Sequence, residues 1–152
     1  MCYNQTTILK KGEVCMNGQS FTHQLDAKNR MRIPAKLREQ LGPNYSVSVG
    51  TGGCLYVYTK EQTDALIEKL GKVNAFDPKQ LKASRYVLYN TWTAVEDKQG
   101  RILLPENLRA HAKLSKNIIT VQGPRFIEIW SEEVWTEYFN SVDLADISSV
   151  VE

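Results

Sequence analysis

Histidine and cysteine are scarce in this 152-residue chain. His23 and His111 lie far apart, and Cys2, Cys15 and Cys54 include no C-x-x-C pair. A structural zinc site needs four ligands in close pairs, so this inventory speaks against one. Cys54, in the apolar run CLYVY, reads as a small buried hydrophobe, and an odd cysteine count fits a reducing cytosol. No apolar stretch approaches the ~20 residues that cross a bilayer, and the N-terminus lacks the apolar core of a signal peptide. The expectation is a soluble, intracellular chain without a membrane partner. Catalytic signatures are also missing: there is no glycine-rich phosphate loop, metal set or nucleophile–base triad. The chain does not read as an enzyme, and no cofactor or small-molecule substrate is expected. A strong charge excess is lacking too, since a net charge of +2 is too mild to announce nucleic acid. Where the charge sits must decide.

What is present is a repetition. The segment DAKNRMRIPAKLR, residues 26–38, has nearly the same skeleton as DKQGRILLPENLR, residues 97–109. A shift of 71 positions aligns Asp26 with Asp97, Arg30 with Arg101, Ile33 with Leu104, Pro34 with Pro105, Leu37 with Leu108 and Arg38 with Arg109. One further step aligns CLYVYTKE, 54–61, with FIEIWSEE, 126–133. The repeat therefore extends well beyond a charged motif.

Each copy reads alike. A strand ending near Leu25 or Val95 enters a tight turn in which Asn29 or Gly100 takes the left-handed position that these two residue types tolerate best. A strand follows, RMRI or RILL, and Pro34 or Pro105 suits the first turn of a short helix. Leu37 and Leu41 mark its buried face in the first copy, and Gly42-Pro43 ends it. Two strands come next, YSVSVG with CLYVYT and IITVQG with FIEIWS. A longer helix starts at Thr59, where Thr59 and Gln62 have capping-box spacing, with Leu66, Ile67 and Leu70 on one face. Its counterpart starts at Ser131. Asp77 as N-cap and Pro78 open another helix to about Tyr89. Residues from 143 to the end read as a frayed segment or a weak helix.

The expected organisation is an N-terminal extension over 1–15, a first repeat over 20–63, connecting helices over 64–90, a second repeat over 91–134, and a C-terminal helix and tail over 135–152. The extension precedes a second methionine, so Met1 and Met16 are alternative native starts; Lys-Lys-Gly-Glu-Val can encode a purine-rich ribosome-binding sequence ahead of Met16, which is the hypothesis in its favour. A unit of about 45 residues is too small to bury a satisfactory core alone. The two copies are expected to share one core as a pseudo-twofold unit, with both aspartate turns on one side.

Two copies of D-x-x-[GN]-R followed by an apolar pair and proline, each trailed by paired strands and a capped helix, resemble the MraZ family of bacterial regulators. The resemblance covers about Met16 to Val142, and MNGQSFTH, 16–23, looks like the usual start of that family. It implies an α+β fold of two SpoVT-AbrB-like swapped-hairpin β-barrel repeats with flanking helices. It also implies a cytoplasmic, nucleoid-associated transcription factor that binds double-stranded DNA, forms a ring-shaped homo-oligomer and reads short tandem repeats. The implied targets are the division and cell-wall gene cluster, including its own promoter. The family's DNA-contacting motif falls on Asp26, Lys28, Asn29 and Arg30, and on Asp97, Gln99, Gly100 and Arg101. Asn29 departs from the usual glycine at a modest cost.

Arginine donates bidentately to guanine O6 and N7, so Arg30 and Arg101 are the first choices for groove contacts. Lys28, Arg32, Lys36 and Arg38 suit phosphate or the groove rim. If RMRI is a regular strand, Arg30 and Arg32 share one face while Met31 and Ile33 face the core. Asp26 and Asp97, acceptors in turns, more plausibly order the loop with Asn29 and Gly100 than touch DNA. The copies differ in charge. Residues 26–38 set Lys28, Arg30, Arg32, Lys36 and Arg38 against Asp26 alone; residues 97–109 set Lys98, Arg101 and Arg109 against Asp97 and Glu106. The first copy is expected to supply most of the electrostatic affinity. Trp92, Trp130, Trp135, Tyr56, Tyr58, Tyr138 and Phe139 read as core or subunit contacts rather than as a stacking platform. The competing reading is a non-DNA interaction module, an antitoxin-like or scaffold oligomer whose basic face meets an acidic protein.

Overall fold

The computed structural model describes residues 19–152, so the expectations for the extension and for Met16 lie outside the described residues. The first half runs β1 (Ser20–Gln24), β2 (Arg30–Arg32), α1 (Ala35–Leu41), β3 (Ser46–Val49), β4 (Leu55–Tyr58), α2 (Lys60–Leu70) and α3 (Pro78–Tyr89). The second repeats that order as β5 (Trp92–Thr93), β6 (Arg101–Leu103), α4 (Glu106–His111), β7 (Asn117–Gln122), β8 (Ile127–Ser131), α5 (Glu132–Asn140) and α6 (Leu144–Val151). The fold is α+β with antiparallel sheets.

Local chemistry sets most element ends. The Thr59 hydroxyl accepts from the Gln62 amide at 3.1 Å while the Gln62 side chain accepts from the Thr59 amide at 2.9 Å, closing a capping box on α2. Asp77 accepts from the amides of Lys79 and Gln80 at the start of α3. Gly42, at φ 66°, ends α1. Pro34 and Pro105 differ from the expectation by one step. Each sits just before its helix with an extended ψ, 137° or 153°, so its carbonyl rather than its ring position opens the first turn. Ile67 also differs. Leu66 and Leu70 are partly buried, but Ile67 is 47% exposed, and α2 buries none of its residues fully. The C-terminal segment is a helix, capped by Asp143 through the Ala145 amide at 3.0 Å.

The halves exchange strands. In the six-stranded sheet, ordered β1-β7-β8-β4-β3-β5, the first strand of each half pairs with the other half: β1 with β7, and β5 with β3. β2 and β6 form a separate two-stranded ribbon. Register exposes the symmetry. Met31 opposes Ile102, its own repeat counterpart, and Tyr56 opposes Glu128, likewise its counterpart. A pseudo-twofold axis therefore runs through the middle of the ribbon and the middle of the sheet. The core lies between them. Met31, Ile33, Ile102 and Leu104 descend from the ribbon strands onto Leu37 and Leu108 of the short helices and onto Val47, Leu55, Ile118 and Ile129 of the sheet. None of these is more than 2% exposed. A second cluster on the far side of the sheet joins Cys54, Ile119, Val121 and Trp130, with Trp135 of α5 packed edge-on against Trp130.

Candidate nucleic-acid interface

The two aspartate turns are built from the same set of bonds. Asp26 Oδ1 accepts from the backbone amides of Lys28 and Arg30, each at 2.9 Å, and Oδ2 accepts from Arg30 Nε at 2.7 Å. Asp97 Oδ1 accepts from the amides of Gln99 and Arg101, each at 2.9 Å, and Oδ2 accepts from Arg101 Nε at 2.8 Å. The backbone closes both turns, from the Asn29 amide to the Asp26 carbonyl and from the Gly100 amide to the Asp97 carbonyl. Asn29 at φ 61° and Gly100 at φ 77° hold the left-handed position. These bonds push both carboxyls below their ordinary range. The arginine backbone amide is the largest cause in each case, and the guanidinium adds to it.

The aspartate grips each arginine by Nε. Among the described residues, no hydrogen bond engages Nη1 or Nη2 of Arg30 or Arg101, so the outer edge of each guanidinium stays available. Both side chains are somewhat under one-third exposed. The turns are also joined across the axis, since Arg101 Nη1 lies 3.9 Å from Asp26 Oδ2. Asp26 thus touches both arginines and holds two like charges close together.

The ribbon between the turns presents alternate side chains outward. Met31 and Ile102 face the core, while Arg30 opposes Leu103 and Arg32 opposes Arg101 on the outer face. Arg32 is exposed and lies alongside the second turn, where a Cβ on Gly100 would stand 3.6 Å from its Nε. Strand exchange therefore places a first-half arginine beside the second-half turn. Lys28 is exposed in the first turn, and Lys36 is exposed on α1.

Arg38 is placed differently. Its Nε donates to Glu96 Oε2 at 2.9 Å, Nη2 donates to Glu96 Oε1 at 3.2 Å, and Nη1 donates to the Gly42 carbonyl at 3.1 Å. The buried Tyr45 hydroxyl donates to the same Glu96 at 2.8 Å, and the guanidinium stacks 5.0 Å from the Tyr45 ring centre. Arg38 is thus a clamp between the halves rather than part of the outer ribbon face. The hydrogen bond from Arg38 lowers the Glu96 carboxyl, while burial and Glu96 raise the Tyr45 phenol. Glu96, Tyr45 and Leu103 were not singled out by sequence reasoning. The repeat offered a signal for two of them: Glu96 stands where the first copy has Leu25, and Leu103 where it has Arg32.

The remaining candidates have structural partners. His23 Nε2 lies 2.7 Å from Thr120 Oγ1, and burial lowers its pKa. His111 bonds to the Tyr86 hydroxyl and the Gly50 carbonyl. Trp130 is 2% exposed within an aromatic group with Trp135, Tyr138 and Phe139, whereas Trp92 is 45% exposed. Burial pushes the Cys54 thiol up to about 12, so its thiolate is disfavoured.

Comparison with known proteins meets this geometry at the same repeats. The sequence profile described as "MraZ protein, putative antitoxin-like" matches twice, over residues 16–85 and 90–150. The chain is 42% identical over 126 residues to a protein named transcriptional regulator MraZ from Thermoanaerobacter sp. (strain X514), covering 82% of this chain and 87% of the relative. It is 41% identical over 129 residues to the protein of that name from Clostridium acetobutylicum, covering 84% and 91%. A third relative of that name, from Ligilactobacillus salivarius, is 40% identical over 124 residues, covering 81% and 86%. With two profile matches that coincide with the two exchanged halves, the chain belongs to the MraZ family.

Proposed function

We propose that this chain is a sequence-specific DNA-binding transcriptional regulator whose reading head is the β2–β6 ribbon with its two aspartate turns. One observation carries the reading: strand exchange gathers Arg30, Arg32 and Arg101 on one outer face, and the aspartates orient two of them by Nε. A two-stranded ribbon fits the major groove, where a guanidinium edge can pair with guanine O6 and N7. Lys28 and Lys36 flank the face as phosphate contacts, Asn29 and Gly100 shape the turns, and Asp26 and Asp97 order them. Arg38 acts indirectly by tying α1 to the strand leading into the second turn. The exchange of β1 and β5 supports assignment to the swapped-hairpin SpoVT-AbrB class. By family resemblance, the targets are tandem repeats upstream of the division and cell-wall gene cluster, including the chain's own promoter, in the cytoplasm at the nucleoid.

An oligomer fits the C-terminal helix. Helix α6 buries none of its residues, and Leu144 and Val150 are 79% and 82% exposed. No lysine or arginine follows Arg125, while Asp143, Asp146 and Glu152 make α6 acidic. Helix α3 offers the complement: Lys79, Lys82 and Arg85 stand beside exposed Tyr86, Leu88 and Tyr89, next to a groove of 520 Å³. Docking α6 of one copy on α3 of the next is a head-to-tail contact, the kind that closes rings. Such a ring presents several ribbons at high effective concentration.

The test is a gel shift with duplex DNA from the gene's upstream region, carrying one or four repeats, over a salt series. Weak binding to one and strong binding to four is expected, with about 0.9 added to the salt slope per phosphate neutralised. Comparable affinity for both removes the avidity mechanism. Absence of any salt-sensitive shift favours the alternative of an acidic protein partner.

A further inference from the structure

The ribbon is symmetric in backbone but not in side chains. Rotation about the axis through Met31 and Ile102 carries Arg30 onto Arg101, and it carries Arg32 onto Leu103. Leu103 is 63% exposed, although its neighbours Ile102 and Leu104 are each 1% exposed. An isolated exposed leucine needs no explanation. This one occupies the fourth corner of a face whose other three corners are arginine.

The consequence lies at the ends of the ribbon rather than in the repeats. One end carries Arg32 and Arg101 side by side, next to the Asp97 turn. The other carries Arg30 and Leu103, next to the Asp26 turn. A twofold-symmetric reader selects a palindrome, because its two halves make identical contacts. A reader with two guanidinium groups at one end and an isobutyl group at the other does not. The major groove supplies partners for both, since guanine offers paired acceptors and thymine offers a 5-methyl group that apolar side chains touch.

We propose that Leu103 is a specificity-determining residue that packs on a thymine methyl, and that the Arg32/Leu103 mismatch gives each DNA element a polarity. This rests on the DNA-binding reading and adds direction to it. Polar elements suit a head-to-tail ring, whose ribbons all point the same way around it and therefore meet direct rather than inverted repeats.

The experiment starts from a random duplex library selected with the full chain. The selected duplex is then remade with deoxyuridine in place of thymidine, which removes only the methyl groups. Wild-type affinity should fall about fourfold, the worth of one buried methyl-sized group, while Leu103→Ser should bind both duplexes equally. Leu103→Arg should narrow the preference for direct over inverted copies of the element. Equal wild-type affinity for the two duplexes, or an equal fall in Leu103→Ser, overturns the inference while leaving DNA binding intact. Failure to select any sequence overturns the DNA-binding reading itself. Because Leu103 is exposed, circular dichroism and a melting curve matching wild type should accompany both variants.

Discussion

The two halves share a turn so closely that corresponding hydrogen bonds differ by no more than 0.1 Å, yet several contacts around the turns differ. The first turn uses Asn29 and the second Gly100. Arg38 binds Glu96 across the halves, whereas among the described residues its counterpart Arg109 donates only to the Leu104 carbonyl at 2.9 Å. Helix α3 settles against α2, with the Ser84 hydroxyl donating to the Leu70 carbonyl at 3.1 Å, whereas among the described residues α6 buries none of its side chains. The two copies thus keep what orients the arginines and the core beneath them, while the contacts that flank the turns differ.

The largest break of this comparison is at the arginines. Arg101 shares its charge with Asp97 and Asp26 and has Arg32 beside it, while among the described residues Arg30 is gripped only by Asp26 and stands beside Leu103. Arg30→Ala should therefore weaken binding to a four-repeat duplex about 10- to 100-fold, as expected for losing a bidentate contact. Arg101→Ala should cost roughly a third of that on the free-energy scale, because Arg32 remains. Fluorescence anisotropy at two salt concentrations checks this, and equal losses with equal salt slopes would remove the asymmetry.

Next in size is the clamp. Arg38→Ala leaves the half-buried Glu96 without its main partner and should cost about 1–2 kcal/mol in urea unfolding, whereas Arg109→Ala should cost about 0.5 kcal/mol. The clamp also has an acid signature. Glu96 has a folded pKa below its usual value of 4.5, so its contribution is present above that value and is lost as the pH falls through the lowered one. Glu96→Gln should lessen the loss of stability as the pH falls below 4.5, while the two turn aspartates keep their own acid dependence.

Much of this was legible in sequence because the repeat doubled every signal. Asp26 and Asp97 marked the turns, Thr59 and Asp77 marked helix starts, and the alternation of Arg30, Met31 and Arg32 gave the ribbon its faces. Strand pairing between halves is a long-range choice. Nothing local in SFTHQ says that β1 joins β7, although the need to share a core pointed to it. The role of Arg38 was hidden for the same reason: its spacing from Arg30 and Arg32 suggests one basic patch, but Glu96 reaches it from 58 positions away. Leu103 was hidden by its own neighbours, since RILL reads as a buried strand until the pleat turns one leucine outward.

The smallest effect separates backbone from side-chain causes at the turns. A Cβ on Gly100 would meet nothing nearer than Arg32 Nε at 3.6 Å, an ordinary contact, so space does not require glycine there. The backbone does, because φ is 77°. Gly100→Ala should lower stability by about 1 kcal/mol through the left-handed strain of a β-carbon. Gly100→Asn should recover most of that loss, since Asn29 holds the equivalent position at φ 61° in the first turn. The reciprocal Asn29→Gly should stay within about 0.5 kcal/mol of wild type. Thermal melts of the three variants decide the point. If Gly100→Ala and Gly100→Asn lose equally, crowding by Arg32 rather than φ is what keeps glycine in the second turn.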